Sequence, residues 1–248
     1  MEGLNIIFDT PPNTEGEPTA KCLIFVTPDA QRSMNTFLGA STELRPLDIS
    51  KDFIGRSKIL YLEGYLWDPP NAKKAFLEAI NIAKAADTKV TLSLSDAFCV
   101  DRYRSEFLDL VRTHVDILFG NETELLSLYQ VENLNEAIGL VQDDCEIVAV
   151  TRDSRGSIVI ENRRVFEIAA QKIDTVIDTT GAGDLYASGF LYGITRDMDI
   201  RQCGKLGGLV ASSIITQFGA RHEESLMPLI DRVLSLIHIS EPTRLATI

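Results

Sequence analysis

The run Asp178-Thr179-Thr180-Gly181-Ala182-Gly183-Asp184, continued by Leu185 to Phe190, holds the residues best placed to do chemistry. Two glycines around one alanine make a tight turn, and helix-patterned residues follow, so Gly181 to Asp184 is expected at a helix N-terminus. Such a turn points unpaired N–H groups outward, with the positive end of the helix dipole behind them. Together they suit an anion such as a phosphoryl group in transfer. A carboxylate at Asp184 does not help to bind an anion. Beside a bound phosphate it makes sense as a proton acceptor for an attacking hydroxyl. The same residues also read as an Asp-capped helix after a glycine-rich loop, and the turn alone leaves the two readings balanced.

Two further loops leave strands and carry polar residues. In Gly120-Asn121-Glu122-Thr123-Glu124, Asn121 and Glu124 lie three apart on one helical face. Taken alone, Asn121 as N-cap and Glu124 as its capping-box partner is the better reading. In Thr151-Arg152-Asp153-Ser154-Arg155-Gly156, only Gly156 lets a backbone approach a phosphate closely. Arg152 reads equally as a solvated surface charge.

The sequence DTTGAGDLYASGF resembles the C-terminal signature of the PfkB family of carbohydrate and nucleoside kinases, the ribokinase-like family. Both threonines, GAGD and the small residues Ala187, Ser188 and Gly189 fall in register. The resemblance implies an α/β fold, a ribokinase-like three-layer α/β/α sheet with a small β lid. It implies ATP and Mg²⁺ as cofactors, Asp184 as catalytic base, and Gly181, Ala182 and Gly183 as the anion hole. Asp178 would belong to the neighbouring phosphate and metal environment. Asn121 and Glu124 resemble the family's NxxE motif, which organises Mg²⁺ largely through water. Thr151 to Gly156 resembles its T-x-G-x-x-G nucleotide loop, with Asp153 where the first glycine is usual. Thr151, Gly156 and Thr179 are then expected beside the nucleotide. Gly219 and Ala220 would border the adenine, although Gly219 reads as well as a helix C-cap. Arg32 and Asn35 would lie near the substrate, or be ordinary hairpin residues. The substrate implied is a small sugar or nucleoside phosphorylated on a hydroxymethyl group. Met34 to Ala40 and Glu63 to Pro70 lean toward adenosine-kinase-like members. Lid strands in this family can pair between subunits, which makes a homodimer an expectation.

Certain elements must position these residues. Leu4 to Asp9 reads as a strand before the turn at Pro11 to Gly16, and Cys22 to Thr27 with Met34 to Leu38 as a hairpin. Beyond Asp48, strands alternate with helices. Strands are expected at 58–62, 89–93, 115–119, 146–151, 156–160 and 165–168. Helices are expected at 71–86, 105–113 with Ser105 as N-cap, 122–128 and 134–141, then after the signature and over 199–217. Such units imply a parallel sheet covered on both faces, with ligands gathered at the carboxyl ends of its strands. The small residues Gly204, Gly207, Gly208, Ala211 and Ser212 suit close packing between helices.

Bulk properties bound the alternatives. A chain of 248 residues, 45% hydrophobic, can bury one sizeable core. Its net charge of −12 argues against nucleic acid as a general partner. Cys22, Cys99, Cys145 and Cys203 form no CxxC pair, so neither zinc nor a disulfide framework is expected. His114 and His222 lack ligand-spaced partners. No leader-like N-terminus or membrane-length apolar run is present, and a cytoplasmic location with no membrane partner is expected. A dinucleotide site is disfavoured, since Tyr186 breaks GxGxxG, and Gly204-Lys205-Leu206 is no P-loop.

Three regions follow: 1–45 as a partial β lid with entry strands, 46–234 as the α/β nucleotide-binding core, and 235–248 as an atypical tail that includes His238. In the resembling family further sequence precedes this match, with an opening strand, an Asp for substrate hydroxyls and a Gly-Gly motif. These have no counterpart here. The chain therefore reads as N-terminally shortened, and a catalytically incompetent nucleotide-binding remnant, or a regulatory protein, stands beside the kinase.

Overall fold

The computed structural model describes residues 6–8, 10–222 and 225–231. The expected tail at 235–248 lies outside them, as do parts of the expected first strand. The described Ile6, Ile7 and Phe8 form no strand and are exposed.

Two antiparallel strands, β1 (Lys21–Val26) and β2 (Arg32–Phe37), make a separate small sheet joined by a tight turn at Thr27 to Gln31. All but Val26 are exposed. Alternation sets Leu23, Phe25, Phe37 and Asn35 on one face and Ile24, Met34 and Arg32 on the other.

The main sheet has six strands in sequence order. They are β3 (Ile59–Glu63), β4 (Lys89–Ser93), β5 (Ile117–Asn121), β6 (Ile147–Thr151), β7 (Ser157–Glu161) and β8 (Arg164–Ile168). Helix α1 (Lys51–Arg56), capped by the Ser50 hydroxyl, leads into β3. The connections from β3 to β6 run through α2 (Pro70–Ala85), α3 (Ala97–Thr113), and the pair α4 (Glu122–Tyr129) and α5 (Leu134–Asp144). Each is long enough for a crossover, and β3 to β6 are parallel.

The last two strands depart from the expected all-parallel sheet: β6 to β7 and β7 to β8 are antiparallel. Only Asn162 and Arg163 separate β7 from β8, at φ 48° and 64°. Two successive positive φ values mark a primed hairpin turn, and so short a link cannot return the chain to a parallel start.

Leu62, Leu92, Leu118, Val148 and Ile160 pack beneath α2 to α5 with Phe76, Phe107 and Leu128. On the opposite face Ile117, Phe119, Ala149 and Val159 meet α6 (Ala182–Ile194) and α7 (Ile200–Ile214) through Tyr186, Phe190 and Cys203. The result is three layers. Cover on this second face thins at the edge strand β3, where Tyr61 keeps 37% of its surface exposed.

Helix α3 begins eight residues before the expected position. Asp96 caps it, accepting from the Phe98 amide at 2.7 Å, and Ser105 is interior. A break at Tyr103 (φ −122°, ψ 27°) hid the first half from helical periodicity.

Close packing of α6 on α7 depends on missing side chains. A Cβ at Gly207 would lie 2.8 Å from the Tyr186 carbonyl, and one at Gly189 2.8 Å from that of Leu206. Gly208, one residue on, has nothing within 4 Å. Gly207→Ala is therefore expected to destabilise the fold by about 1–3 kcal/mol. Gly208→Ala should be neutral or gain up to about 1 kcal/mol from helix propensity. Urea denaturation of the two variants checks the contrast, and equal losses would refute it.

Candidate active site

Four parallel strands end at one rim of the sheet. Glu63 pairs with Ser93 across β3 and β4, Ser93 with Phe119 across β4 and β5, and Asn121 with Thr151 across β5 and β6. The register thus brings the Asn121 and Thr151 loops side by side.

A cavity of about 840 Å³ opens beyond Thr151. Its walls include Thr151, Gly156, Thr179, Ala182, Gly183 and Tyr186. Five residues expected around a nucleotide phosphate, from two separate segments, are thus brought together. Gly156 sits at φ +82°, and a Cβ there would lie 2.0 Å from the Ile168 carbonyl, so only glycine fits. Asp153 also takes a left-handed φ of 51° where the resembling pattern has glycine. A second hollow of about 520 Å³, lined by Asp143, Asp144, Glu146 and Arg163, lies at the far end of β6 and carries none of the expected residues.

Gly181 stands at the N-cap of α6 in the left-handed region, φ +78°. A Cβ on it would meet that of Ala220 at 2.9 Å, so the two expected small-residue turns touch. Ala182 donates its amide to the Thr179 carbonyl at 3.2 Å. Among the described residues the amides of Gly181, Gly183 and Asp184 have no backbone acceptor. Such free N–H groups at a helix start form an anion site.

Asp178, expected in the neighbouring phosphate and metal environment, is bonded into the turn itself. It is 3% exposed, and its oxygens accept from the Thr180 amide (2.9 Å), the Thr180 hydroxyl (2.6 Å) and the Gly219 amide (2.9 Å). Burial acts to raise its pKa, but these hydrogen bonds and the Arg32 charge outweigh it, and the group stays below the usual carboxylate range. Gly219, at φ +88°, is held by this bond rather than ending α7, whose C-cap is Ile215.

Asn121 and Glu124 form the full capping box. The Asn121 amide reaches Glu124 Oε2 at 2.9 Å, Asn121 Nδ2 reaches Oε1 at 2.7 Å, and the Glu124 amide returns to Asn121 Oδ1 at 2.9 Å. Burial pushes the Glu124 carboxyl up to about 7, with Asp96 and Glu63 adding like charge. Asp184, in the first turn of α6, is exposed at its surface, yet loss of solvent raises its pKa as well.

Arg32 and Asn35 point to opposite faces of the hairpin, and the Arg32 charge reaches Asp178. A substrate on one face of β2 therefore meets only one of the two side chains. Sequence reasoning missed Glu63, which accepts from Tyr61 Oη at 3.1 Å and from the Ser95 hydroxyl. Its position at the carboxyl end of a parallel strand was the available signal.

The pfkB family carbohydrate kinase pattern matches residues 1–226, most of the chain. The chain belongs to this family. Among curated relatives, 5-dehydro-2-deoxygluconokinase of Listeria monocytogenes is 30% identical over 210 residues, which cover 82% of this chain. This chain spans 63% of that relative's length. Among solved structures, adenosine kinase from Sinorhizobium meliloti superposes with a TM-score of 0.91 at 46% identity, covering 93% of this chain and 71% of that one. A probable sugar kinase from Rhizobium etli gives 0.90, also at 46% identity, covering 93% and 70%. The PfkB architecture, a layered α/β core with a small β lid, is thus shared at high similarity. No helix among the described residues is long and apolar enough to cross a membrane.

Two outcomes follow from the site's hydrogen bonds and charges. Asp178→Ala would leave the two buried Thr180 donors and the Gly219 amide without an acceptor, and should cost roughly 2–5 kcal/mol in urea denaturation. A loss under about 0.5 kcal/mol would show the clamp to be unimportant. Glu124 has a folded pKa raised from 4.5 to about 7, so within that window the folded chain holds a proton that the unfolded chain has released. Its contribution to stability therefore falls as pH rises through the window. Urea midpoints measured across it should decline less steeply in Glu124→Gln.

Proposed function

We propose that this chain forms the phosphoryl-transferring part of an ATP-dependent kinase that phosphorylates a hydroxymethyl group of a sugar or nucleoside. The observation that supports this reading best is the position of Asp184. It is an accessible carboxylate one residue beyond Gly183, whose amide is free and which lines the cavity walled by Thr151, Gly156 and Thr179.

In the proposed reaction the acceptor hydroxyl oxygen bonds to the γ-phosphorus as the bond to the β-phosphate bridging oxygen breaks, releasing ADP. Asp184 takes the hydroxyl proton. Its pKa, raised by loss of solvent, makes it a better base than an ordinary aspartate. The Gly181 and Gly183 amides face the charge that spreads over the phosphoryl oxygens, with the α6 dipole behind them. Thr151, Gly156, Thr179 and the Gly219-Ala220 turn bound the nucleotide, and Arg32 or Asn35 approaches the acceptor from the lid.

The hard oxygen donors of Glu124 and Asn121 suit Mg²⁺ held mainly through water. When bound, Mg²⁺ neutralises phosphate charge. Glu124 would serve it in the ionised form, whose oxygens already hold Asn121 in place. One of the two similar structures is an adenosine kinase and the other a probable sugar kinase. Either acceptor class therefore fits.

The second reading, weighed from the sequence, is a nucleotide-binding remnant without transfer activity. One assay separates the two: ATP-dependent phosphorylation of a panel of nucleosides and sugars by the full chain. Turnover removes the remnant reading. Asp184→Asn is expected to lower kcat by at least about 10³-fold while ATP affinity changes little. Unchanged turnover in that variant would take Asp184 out of the mechanism.

A further inference from the structure

Two hydroxyls on the floor of the cavity are joined to each other and to nothing else among the described residues. Tyr186 Oη donates to Ser157 Oγ at 2.8 Å. Both residues line the cavity with Thr151, Gly156 and Gly183, although Ser157 is 2% exposed and Tyr186 4%. The direction of this bond leaves a proton over. Burial pushes the Tyr186 phenol up to about 12, so it stays protonated and gives its hydrogen to the serine. A serine hydroxyl carries one donor besides its acceptor lone pairs, and the Ser157 O–H has no acceptor among the described residues. A buried donor left unmatched is costly, and the hydrogen bond received from Tyr186 makes this one a stronger donor. Alanine at 157 and phenylalanine at 186 would fill the same layer without that cost, so packing alone gives no reason for the pair.

Strand alternation and helix periodicity locate that proton. Ala149 of β6 and Val159 of β7 face α6 and α7, so Thr151 and Ser157, each two residues away, share that face. The two are direct partners across β6 and β7, with Cβ atoms roughly 5 Å apart. Ser157 also follows Gly156, where the missing side chain lets a phosphate approach. On α6, Tyr186 lies one turn beyond Gly183 and on the same side, whereas Asp184 and Tyr186 are about 200° apart around the helix axis. Gly183 and Tyr186 accordingly line the cavity, and Asp184 is not among its lining residues. The unmatched proton therefore lies close to the Gly183 amide but away from the carboxylate that meets the acceptor hydroxyl. What it meets is the part of the nucleotide next to the phosphoryl group that leaves.

We infer that Ser157, oriented by Tyr186, donates a hydrogen bond to an oxygen of the nucleotide's β-phosphate, the first phosphate that is not transferred. The inference rests on the kinase reading above for what the cavity holds, and adds a nucleotide-binding residue to it. A contact to a phosphate that stays with the product is made equally to ATP and ADP. Its loss therefore raises KM for ATP and leaves kcat in place.

The test uses the full chain and two readouts. Calorimetric binding of ADP and AMP is measured for the wild type, Ser157→Ala and Tyr186→Phe, each checked for an unchanged melting profile without ligand. Ser157→Ala should weaken ADP at least about tenfold, because the lost bond is to a charged oxygen. Tyr186→Phe, which frees the serine hydroxyl to rotate, should weaken it by a smaller factor. AMP lacks the β-phosphate and should bind the wild type and Ser157→Ala alike. In the transfer assay KM for ATP should rise in Ser157→Ala as much as the Kd for ADP, with kcat and the acceptor KM unmoved. Unchanged ADP binding in Ser157→Ala, an equal loss of AMP and ADP affinity, or no ADP binding by the wild type overturns the inference. Should Ser157→Ala fail to fold, unchanged ADP binding in Tyr186→Phe overturns it. Ser157-dependent ADP binding without phosphorylation of any acceptor would instead refute the kinase reading and leave the role of Ser157 standing. Turnover with an unmoved KM for ATP in Ser157→Ala does the reverse.

Discussion

The carboxylate of Asp178 joins two stretches of chain 41 residues apart, and the site is built outward from that junction. One oxygen holds the Thr180 amide and hydroxyl and so shapes the turn into α6, while the other holds the Gly219 amide. With Ala220 drawn against Gly181, the start of α6 cannot drift from the end of α7. The anion-binding amides and Asp184 inherit their positions from this clamp. A buried carboxylate with three donors is stable because hydrogen bonds to the charged form outweigh the loss of solvent. Its ionisation is therefore part of the folded geometry, although Asp178 touches no reacting atom.

Around that frame the sheet contributes a shared edge and a hard electrostatic problem. Parallel pairing of β3 to β6 aligns the strand ends, so Glu63, Asn121 and Thr151 line one rim. Glu63, Asp96, Glu124 and Asp184 then gather negative charge there, and burial disfavours ionisation of Glu63, Glu124 and Asp184. The arrangement spends stability on carboxylates poised above their usual pKa, a common condition of sites that move protons or hold cations. Small residues on the facing sides of α6 and α7 let the second layer approach closely enough to carry Asp184 over the rim.

Some of this could be read directly from residue order. GAGD followed by a helix pattern gave the turn, the base candidate and the free amides, because glycine and helix-start chemistry are local. The capping geometry of Asn121 and Glu124 was equally local, and both it and a water-mediated metal role describe the same spacing. The turn from β7 into β8 was visible only as a two-residue link whose positive φ values no glycine announced. The start of α3 was hidden by the break at Tyr103, which disrupts helical periodicity. Arg32 and Asn35 looked equivalent in the chain, but pleating sends them to opposite faces.

The sequence by itself determined the local pieces: which turns expose amides and which family pattern the chain carries. These follow from propensities and hydrogen bonds within a few residues. Only the tertiary structure decided that Asp178 clamps the Thr180 turn to Gly219, and that Ser95 reaches Glu63 across two strands. Those roles depend on contacts between residues 32 to 41 positions apart, or on the register of neighbouring strands. Hydrogen bonding and charge act through space, and a linear order of residues does not record those distances.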